Sequence, residues 1–164
     1  LTLARADAGQ IPIAREPVEL AELVSAAIEQ VRTTAELANI QISSEPGPAV
    51  VLQGDEDLLL QLLLNLLDNA IKYTPAHGRI TAGWNVDGKV VRLWVRDTGI
   101  GISPEHQSRI FERFYAVDRA RSRSKGGAGL GLSISLWIAE VQGGLISVES
   151  EPGQGSTFTV NLPL

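Results

Sequence analysis

A polar stripe runs along the leucine-rich segment LLLNLLDNAIKY, residues 62–73. The stripe consists of Gln61, Asn65, Asp68, Asn69 and Lys72, at positions i, i+4, i+7, i+8 and i+11. Side chains at this spacing share one face of a helix. A solvent-facing stripe is the simplest explanation, yet each asparagine costs about 0.7 kcal/mol of helix propensity relative to alanine. Two amide oxygens one turn apart, followed by a lysine, suit a hard cation and the phosphates that it carries.

A second candidate is RDTGIGIS, residues 96–103, where an aspartate precedes two glycines at the predicted end of a strand. Asp97 can accept a hydrogen bond from an amino group of a ligand, while Gly99 and Gly101 let the backbone approach closely. A simple turn is the alternative. No GxGxxG opens a helix at this point, so the pattern disfavours a dinucleotide-binding Rossmann fold.

A third cluster, GGAGLGLSI, residues 126–134, lies directly before a predicted helix and contains Gly127, Gly129 and Gly131. Exposed backbone N–H groups at a helix start favour phosphate, although a flexible hinge is the alternative. The preceding residues 109–125 are strongly cationic, which favours the phosphate interpretation. Their cations are Arg109, Arg113, Arg119, Arg121, Arg123 and Lys125.

One glycine motif is discounted. GWNVDGKV, residues 83–90, spells most of the P-loop pattern GxxxxGK. Val90 stands where that motif needs a magnesium-binding serine or threonine. Asp87 and Gly88 instead predict a hairpin turn between two strands.

The composition is that of an ordinary globular chain. Its 164 residues fit one domain, and its net charge of −5 argues against general nucleic-acid binding. Cysteine is absent, which excludes disulfides and thiolate chemistry. Methionine is absent even at position 1, so we expect a piece of a longer protein. No apolar run approaches the roughly 18 residues of a membrane-spanning helix, so we expect no membrane insertion by this piece.

Periodicity and turn residues predict an α+β fold with about three main helices and six or so strands. Residues 1–9 are expected to end a helix, residues 10–16 to form a linker, and Pro17 to open the next helix. Asp55 is the predicted N-cap of the leucine-rich helix, which runs to Tyr73. Further helices are predicted from Pro104 and over 132–142, and strands over 40–45, 49–54, 79–86, 89–97, 145–151 and 156–164.

The succession of motifs over about residues 55–160 resembles the catalytic ATP-binding domain of sensor histidine kinases. NLLDNAIKY is similar to the family's N box, DTGIGI to its G1 box, FERF to its F box, GGAGLGL to its G2 box and GQGSTF to its later glycine turn. The resemblance implies a two-layer α/β sandwich of the Bergerat type, with helices on a mixed, largely antiparallel sheet. It also implies that residues 1–16 end a dimerisation helix and linker, and that residues 17–164 form the catalytic domain.

The resemblance implies roles for individual residues. Asn69 would be the main Mg²⁺ ligand, helped by Asn65, and Lys72 would contact phosphate. Tyr73 would pack near the nucleotide, and Asp97 would accept from the adenine amino group. Gly99 and Gly101 would shape the adenine pocket, an ATP lid would span residues 115–128, and Phe111 and Phe114 would anchor its base. The segment at the triphosphate would comprise Gly127, Gly129, Leu130, Gly131 and Leu132.

Two positions depart from the family pattern. Ala116 stands where the family often has an arginine that reaches the γ-phosphate, so we expect Arg113, or else Arg119 or Arg121, to neutralise the transferred group. The only histidines are His77 and His106, and neither has the helical context of the family's phosphoacceptor. We expect both to be surface residues and the acceptor to lie outside this chain.

The implied function is transfer of the ATP γ-phosphoryl group to a histidine on the dimerisation segment, for relay to a response regulator. The implied setting is the bacterial cytoplasm, with a monomeric piece of a homodimeric parent. Three alternatives stay open: a non-catalytic nucleotide-binding module, a serine-phosphorylating regulator, and an ATPase. The ATPase relatives carry a water-activating glutamate where this chain has Asn65, which cannot act as a base near neutral pH.

Overall fold

The computed structural model describes residues 9, 12–115 and 131–164. Seven strands and four helices lie within these residues. The strands are β1 (Glu16–Glu19), β2 (Gln41–Glu45), β3 (Val51–Gly54), β4 (Arg79–Asp87), β5 (Val90–Asp97), β6 (Leu145–Glu151) and β7 (Gly155–Pro163). The helices are α1 (Leu20–Leu37), α2 (Glu56–Tyr73), the short α3 (Pro104–Gln107) and α4 (Gly131–Val141).

Five strands form the main sheet, in the order β2-β4-β5-β7-β6. β2 runs parallel to β4, and the other neighbouring pairs are antiparallel. One face of this sheet is apolar and packs with the buried stripes of α1, α2 and α4 in a single core. Its fully or nearly fully buried strand residues are Ile80, Ala82, Trp84, Val91, Leu93, Val95, Phe158, Val160 and Leu162. The predicted α+β sandwich with a mixed, largely antiparallel sheet is therefore confirmed.

α2 is the central helix of the helical layer. Asp55 caps it as predicted, because Asp55 Oδ1 accepts the backbone N–H of Leu58 at 3.1 Å. Apolar residues repeat along the helix and are buried against α1, α4 and the sheet. Buried on this apolar side are Leu58, Leu59, Leu62, Leu63, Leu66, Leu67, Ala70 and Ile71. Burial on this scale fixes the rotation of α2, and with it the direction of its polar stripe.

The entry to α1 corrects the sequence analysis. Pro17 does not open the helix but lies in β1, which pairs antiparallel with β3 in a separate two-stranded sheet, and the helix begins at Leu20. Val18 is 1% exposed in this strand. Proline is compatible with both a helix start and an edge strand, so local sequence does not decide between them. The tertiary partner β3 decides, and the described residues contain one strand more than the six predicted.

The residues before β1 are tied to the helical layer. Ala14 donates its backbone N–H to Asp55 Oδ2 at 3.0 Å, and an Arg15 guanidinium nitrogen donates to the carbonyl of Val141 at 3.3 Å. The predicted linker thus contacts the start of α2 and the end of α4. None of the described helices is both long and apolar enough to cross a membrane.

Candidate nucleotide site

Asp97 is a buried carboxylate at the end of β5, only 5% exposed. Its Oδ1 accepts the backbone N–H of Gly99 at 2.8 Å and that of Ser156 at 3.3 Å. Burial raises the pKa of Asp97, while these two hydrogen bonds act in the opposite direction. No described residue donates to Oδ2, so one oxygen of an oriented carboxylate remains available to a ligand.

The loop after Asp97 is fastened to three other elements. Thr98 donates its backbone N–H to the carbonyl of Arg79 at the start of β4, at 3.1 Å. Ile100 donates to the carbonyl of Tyr73 at the end of α2, at 3.1 Å, and accepts the N–H of Gly153 from the β6–β7 turn at 2.7 Å. This loop, which resembles the G1 box, therefore joins the C-terminal end of α2 to β4 and to the β6–β7 turn.

Glycine is needed where this loop is most crowded. A Cβ on Gly99 would lie 2.4 Å from the carbonyl oxygen of Tyr73, and a Cβ on Gly101 would lie 2.0 Å from that of Glu151. Gly101 also has a φ of +74°, a conformation that favours glycine. Gly99 thus permits contact with the end of α2, whereas Gly101 packs against the β6–β7 turn.

In the C-terminal half of α2, Asn69 and Lys72 of the predicted polar stripe and the neighbouring Tyr73 are half-buried. Within the described part of the chain, the amide of Asn69 makes no hydrogen bond, so its oxygen is available to a cation. Asp68 is exposed but partly desolvated, which raises the pKa of its carboxyl, and Lys72 acts in the opposite direction. α2 therefore presents an amide oxygen and an amine to the same side.

Asn65 has a more structural setting than its predicted metal role suggests. Gln61 Nε2 donates to Asn65 Oδ1 at 3.1 Å, and Asn65 Nδ2 donates to the carbonyl of Gly131 at 3.2 Å. Ser135 Oγ donates to the same carbonyl at 2.8 Å. Asn65 thus joins α2 to the first residue of α4, and this brings together two predicted site residues that are 66 positions apart.

The F-box-like segment behaves differently from the prediction at one residue. Phe111 packs edge-on against Phe158 of β7, with ring centroids 6.2 Å apart. Phe114 was expected to help anchor the segment, but its side chain is 65% exposed and its φ is +61°. Of the two phenylalanines, Phe111 therefore packs against the core, whereas Phe114 is exposed.

His106 is not the surface histidine that the sequence analysis expects. Its side chain is 29% exposed, and its Nδ1 is hydrogen-bonded to the hydroxyl of Tyr115. The guanidinium of Arg109 lies 4.6 Å from the centroid of the same Tyr115 ring. A histidine nine residues before a tyrosine gave no sequence signal, because the chain between them first has to turn. His77 is exposed in a turn, as expected, with a φ of +73°.

Several predicted residues lie outside the described part of the chain. These are Gly127, Gly129, Leu130, Ala116, Arg119, Arg121 and all of the predicted lid except Tyr115. Arg113 is described and exposed, and Leu132 is half-buried in the first turn of α4. The contacts with phosphate that are expected of the arginines and of residues 127–132 remain predictions.

A serine pair behind the site was missed by the sequence analysis. The hydroxyls of Ser150 and Ser156 are 2.8 Å apart, and Ser150 Oγ also accepts the N–H of Ile102 at 2.8 Å. Gln107 Nε2 from α3 donates to the carbonyls of Ile102 and Ser150. This network fixes the strand from which Ser156 donates to Asp97. Serines at these positions resemble ordinary strand residues, so only the pairing of β6 with β7 reveals them.

Comparison with known proteins identifies the family. The profile of the family described as histidine kinase-, DNA gyrase B-, and HSP90-like ATPase matches residues 54–164. The sensor-like histidine kinase SenX3 of Mycobacterium tuberculosis is 42% identical over 146 residues, which are 89% of this chain and 36% of that protein. The phosphate regulon sensor protein PhoR of Pseudomonas aeruginosa is 39% identical over 159 residues, which are 97% of this chain and 36% of that protein.

Solved structures share the fold. The mycobacterial sensor histidine kinase MprB superposes with a TM-score of 0.79 at 28% identity, covering 91% of this chain and 97% of that one. Full-length ShkA in complex with AMPPNP superposes with a TM-score of 0.87 at 35% identity, covering 98% of this chain and 33% of that one. The chain thus corresponds to the whole of one solved domain and to about a third of the longer relatives.

The fold and these comparisons define a catalytic ATP-binding domain of the sensor histidine kinase class. The chain belongs to the histidine kinase-, DNA gyrase B-, and HSP90-like ATPase family.

Proposed function

We propose that this domain binds Mg²⁺·ATP and transfers the γ-phosphoryl group to a histidine on a dimerisation segment outside residues 1–164. The observation that carries the proposal is Asp97, a buried carboxylate with Oδ1 held by two backbone donors and Oδ2 accepting from no described residue. Such an oriented acceptor suits the exocyclic amino group of adenine. Guanine offers a carbonyl at the equivalent position, which would leave the buried carboxylate facing another acceptor.

The metal is proposed to bind at Asn69, with Asn65 in support. Mg²⁺ prefers hard oxygen ligands and takes few from the protein when phosphates supply the rest. The amide oxygen of Asn69, which accepts from no described residue, fits that requirement, and the Asn65 oxygen keeps one acceptor position beside its bond to Gln61. When bound, the ion would neutralise charge on the triphosphate.

The proposed transfer needs positioning rather than proton abstraction. The unprotonated nitrogen of a neutral imidazole attacks the γ-phosphorus with its lone pair, the bond to the β–γ bridging oxygen breaks, and ADP leaves with that electron pair. No general base is required from this chain. Hydrolysis would need a base to activate water, and the amide of Asn65 cannot serve as one. Lys72 and Arg113 are proposed to contact the phosphates.

The acceptor is proposed to lie in another segment. His77 is in an exposed turn of the domain itself, and His106 is engaged by Tyr115. Neither lies on a helix of more than four residues. We further propose that residues 1–16 end the dimerisation helix and linker, and that residues 17–164 form the catalytic domain with a lid over 115–128. The parent would be a homodimer that phosphorylates a response regulator in the bacterial cytoplasm, and this piece alone would be monomeric.

Calorimetric titration tests the binding half of the proposal. ATP with Mg²⁺ is titrated into the parent chain, Asp97→Asn, and the matched control Asp57→Asn, which makes the same chemical change on the exposed first turn of α2. We expect the parent and the control to bind alike and Asp97→Asn to lose at least tenfold in affinity, since a charged hydrogen bond contributes about 1.5–3 kcal/mol. Equal binding by all three would reject Asp97 as the adenine acceptor.

A further inference from the structure

The oxygen and the nitrogen of the Asn65 side-chain amide form hydrogen bonds with two different neighbours. Its oxygen accepts from Gln61 Nε2 at 3.1 Å, and its nitrogen donates to the carbonyl of Gly131 at 3.2 Å. Rotating the amide by half a turn would set its oxygen against the Gly131 carbonyl, so that bond would be lost, and the bond to Gln61 would survive only if the Gln61 amide rotated too. The Gly131 carbonyl, which can only accept, therefore sets the orientation of the Asn65 amide, and Gln61 reinforces it by occupying the oxygen.

We propose that Gln61 is a positioning residue of the nucleotide site and acts through Asn65. This inference rests on the proposed function. With Gln61 in place, Asn65 Nδ2 holds the first carbonyl of α4, and its oxygen stays on the opposite side with one acceptor position left for a cation. Without Gln61, the Gly131 carbonyl alone holds the amide, so the link to α4 and the direction of the oxygen are both weakened.

The geometry favours this role over a merely local one. Gln61 is exposed, and its hydrogen bond to Asn65 lies on the surface of α2, so the core does not depend on its side chain. An i, i+4 glutamine–asparagine pair also stabilises a helix slightly by itself. The local effect would end at α2, whereas the proposed effect reaches Gly131 and the nucleotide. A test must therefore measure nucleotide affinity and unfolding separately.

A double-mutant cycle separates the two roles. The variants are Gln61→Ala, Asn65→Ala and the double substitution, with Gln30→Ala on the exposed side of α1 as the matched control. Dissociation constants for ATP with Mg²⁺ come from calorimetry, and thermal midpoints from circular dichroism. We expect Gln61→Ala to weaken ATP roughly three- to tenfold. Gln30→Ala should bind like the parent, and the two single glutamine variants should unfold at nearly the same temperature, since one surface pair stabilises a helix only slightly.

The decisive comparison is made in the Asn65→Ala background. If Gln61 acts through Asn65, adding Gln61→Ala there has no further effect on ATP affinity. Parent-like affinity of Gln61→Ala, or an equal loss in both backgrounds, would overturn the inference while leaving the proposed function intact. Absence of ATP binding by the parent itself would overturn the proposed function and the role of Gln61 in it.

Discussion

Asp97 at the end of β5 accepts the backbone N–H of Ser156 at the start of β7, at 3.3 Å and across 59 positions of sequence. The proposed adenine acceptor is thus oriented by a neighbouring strand as well as by its own loop. Strand pairing aligns Asp97 directly with Ser156 in the antiparallel register. The orientation of this carboxylate therefore depends on the pairing of β5 with β7. Substitutions that disturb this pairing should weaken nucleotide binding.

The burial of Asp97 predicts a pH-dependent effect of Asp97→Asn on the nucleotide-free domain. Burial raises the pKa of Asp97 in the folded chain, while an unfolded aspartate titrates at about pH 3.9. A raised pKa gives stability that is present at low pH and is lost as the pH rises through the folded value. Asp97→Asn should therefore gain stability relative to the parent as the pH rises from about 3.5 to about 7. This range begins just below the pKa of an unfolded aspartate, about 3.9.

Urea unfolding at several pH values measures this difference. The asparagine keeps an oxygen that can accept from Gly99 and Ser156, so the change removes charge more than it removes contacts. Asp57→Asn, which makes the same chemical change at an exposed position, serves as the control. A stability difference that moves in the opposite direction with pH would contradict a raised pKa for Asp97.

Gly155 is predicted to be more sensitive to substitution than Gly153, although both have positive φ. Their φ values are +89° and +81°. A Cβ on Gly155 would lie 2.1 Å from the carbonyl oxygen of Asp97, whereas a Cβ on Gly153 would meet nothing within 4 Å. Gly153→Ala should cost about 1 kcal/mol of the free energy of unfolding, from backbone strain alone.

Gly155→Ala should cost clearly more, by about 2 kcal/mol or above, since the backbone of Asp97 has to move. It should also weaken ATP binding, while Gly153→Ala should not. Chemical denaturation gives the first quantity and calorimetry the second. Equal costs for the two alanine variants would show that the close approach to Asp97 is relieved without strain.

Asp55 is predicted to stabilise the domain from both of its carboxylate oxygens. Oδ1 caps α2 through Leu58, and Oδ2 accepts from Ala14 in the predicted linker. Asp55→Ala should lower the free energy of unfolding by about 1–2 kcal/mol, since a lost N-cap alone costs about 0.5–2. The control is Asp57→Ala, an exposed acidic residue in the same first turn. A cost for Asp55→Ala no larger than that of the control would contradict the capping role.

Tyr115 and His106 are predicted to act as one unit. Tyr115→Phe removes the hydroxyl bonded to His106 but keeps the ring beside Arg109, so it should cost about 0.5–1.5 kcal/mol of stability. In a chain that already carries His106→Ala, adding Tyr115→Phe should cost much less stability than it does in the parent. Urea unfolding of the two single variants and the double variant gives the coupling. Fully additive costs would mean that the hydrogen bond contributes nothing to folding.

Features that depend on a single segment of the chain could be predicted from the sequence, whereas features that depend on contacts between distant segments could not. α2 was predictable to within a residue, because its apolar repeat, its Asp55 cap and its polar stripe all lie within one segment. Asp97 could be singled out as a candidate acceptor for a ligand from its position before two glycines. β1 was missed because Pro17 suits either a strand or a helix, and its partner β3 lies over thirty residues away.

The contacts of Asn65 and His106 lay beyond the sequence for the same reason. An asparagine on a polar stripe offers an oxygen and a nitrogen, and only the position of Gly131 shows which neighbour takes the nitrogen. His106 meets Tyr115 only after the chain between them has turned. Type and spacing therefore predict which residues carry chemistry, whereas packing between elements decides how each one is oriented.

Phosphoryl transfer in trans tests the central claim most directly. The domain is mixed with the histidine-bearing dimerisation segment of its parent kinase and with γ-labelled ATP and Mg²⁺, with Asp97→Asn as the negative control. We predict label on the segment as an acid-labile, alkali-stable phosphohistidine, formed by the parent domain and lost in Asp97→Asn. An acid-stable phosphoprotein, or steady release of inorganic phosphate with no labelled segment, would contradict a histidine kinase function.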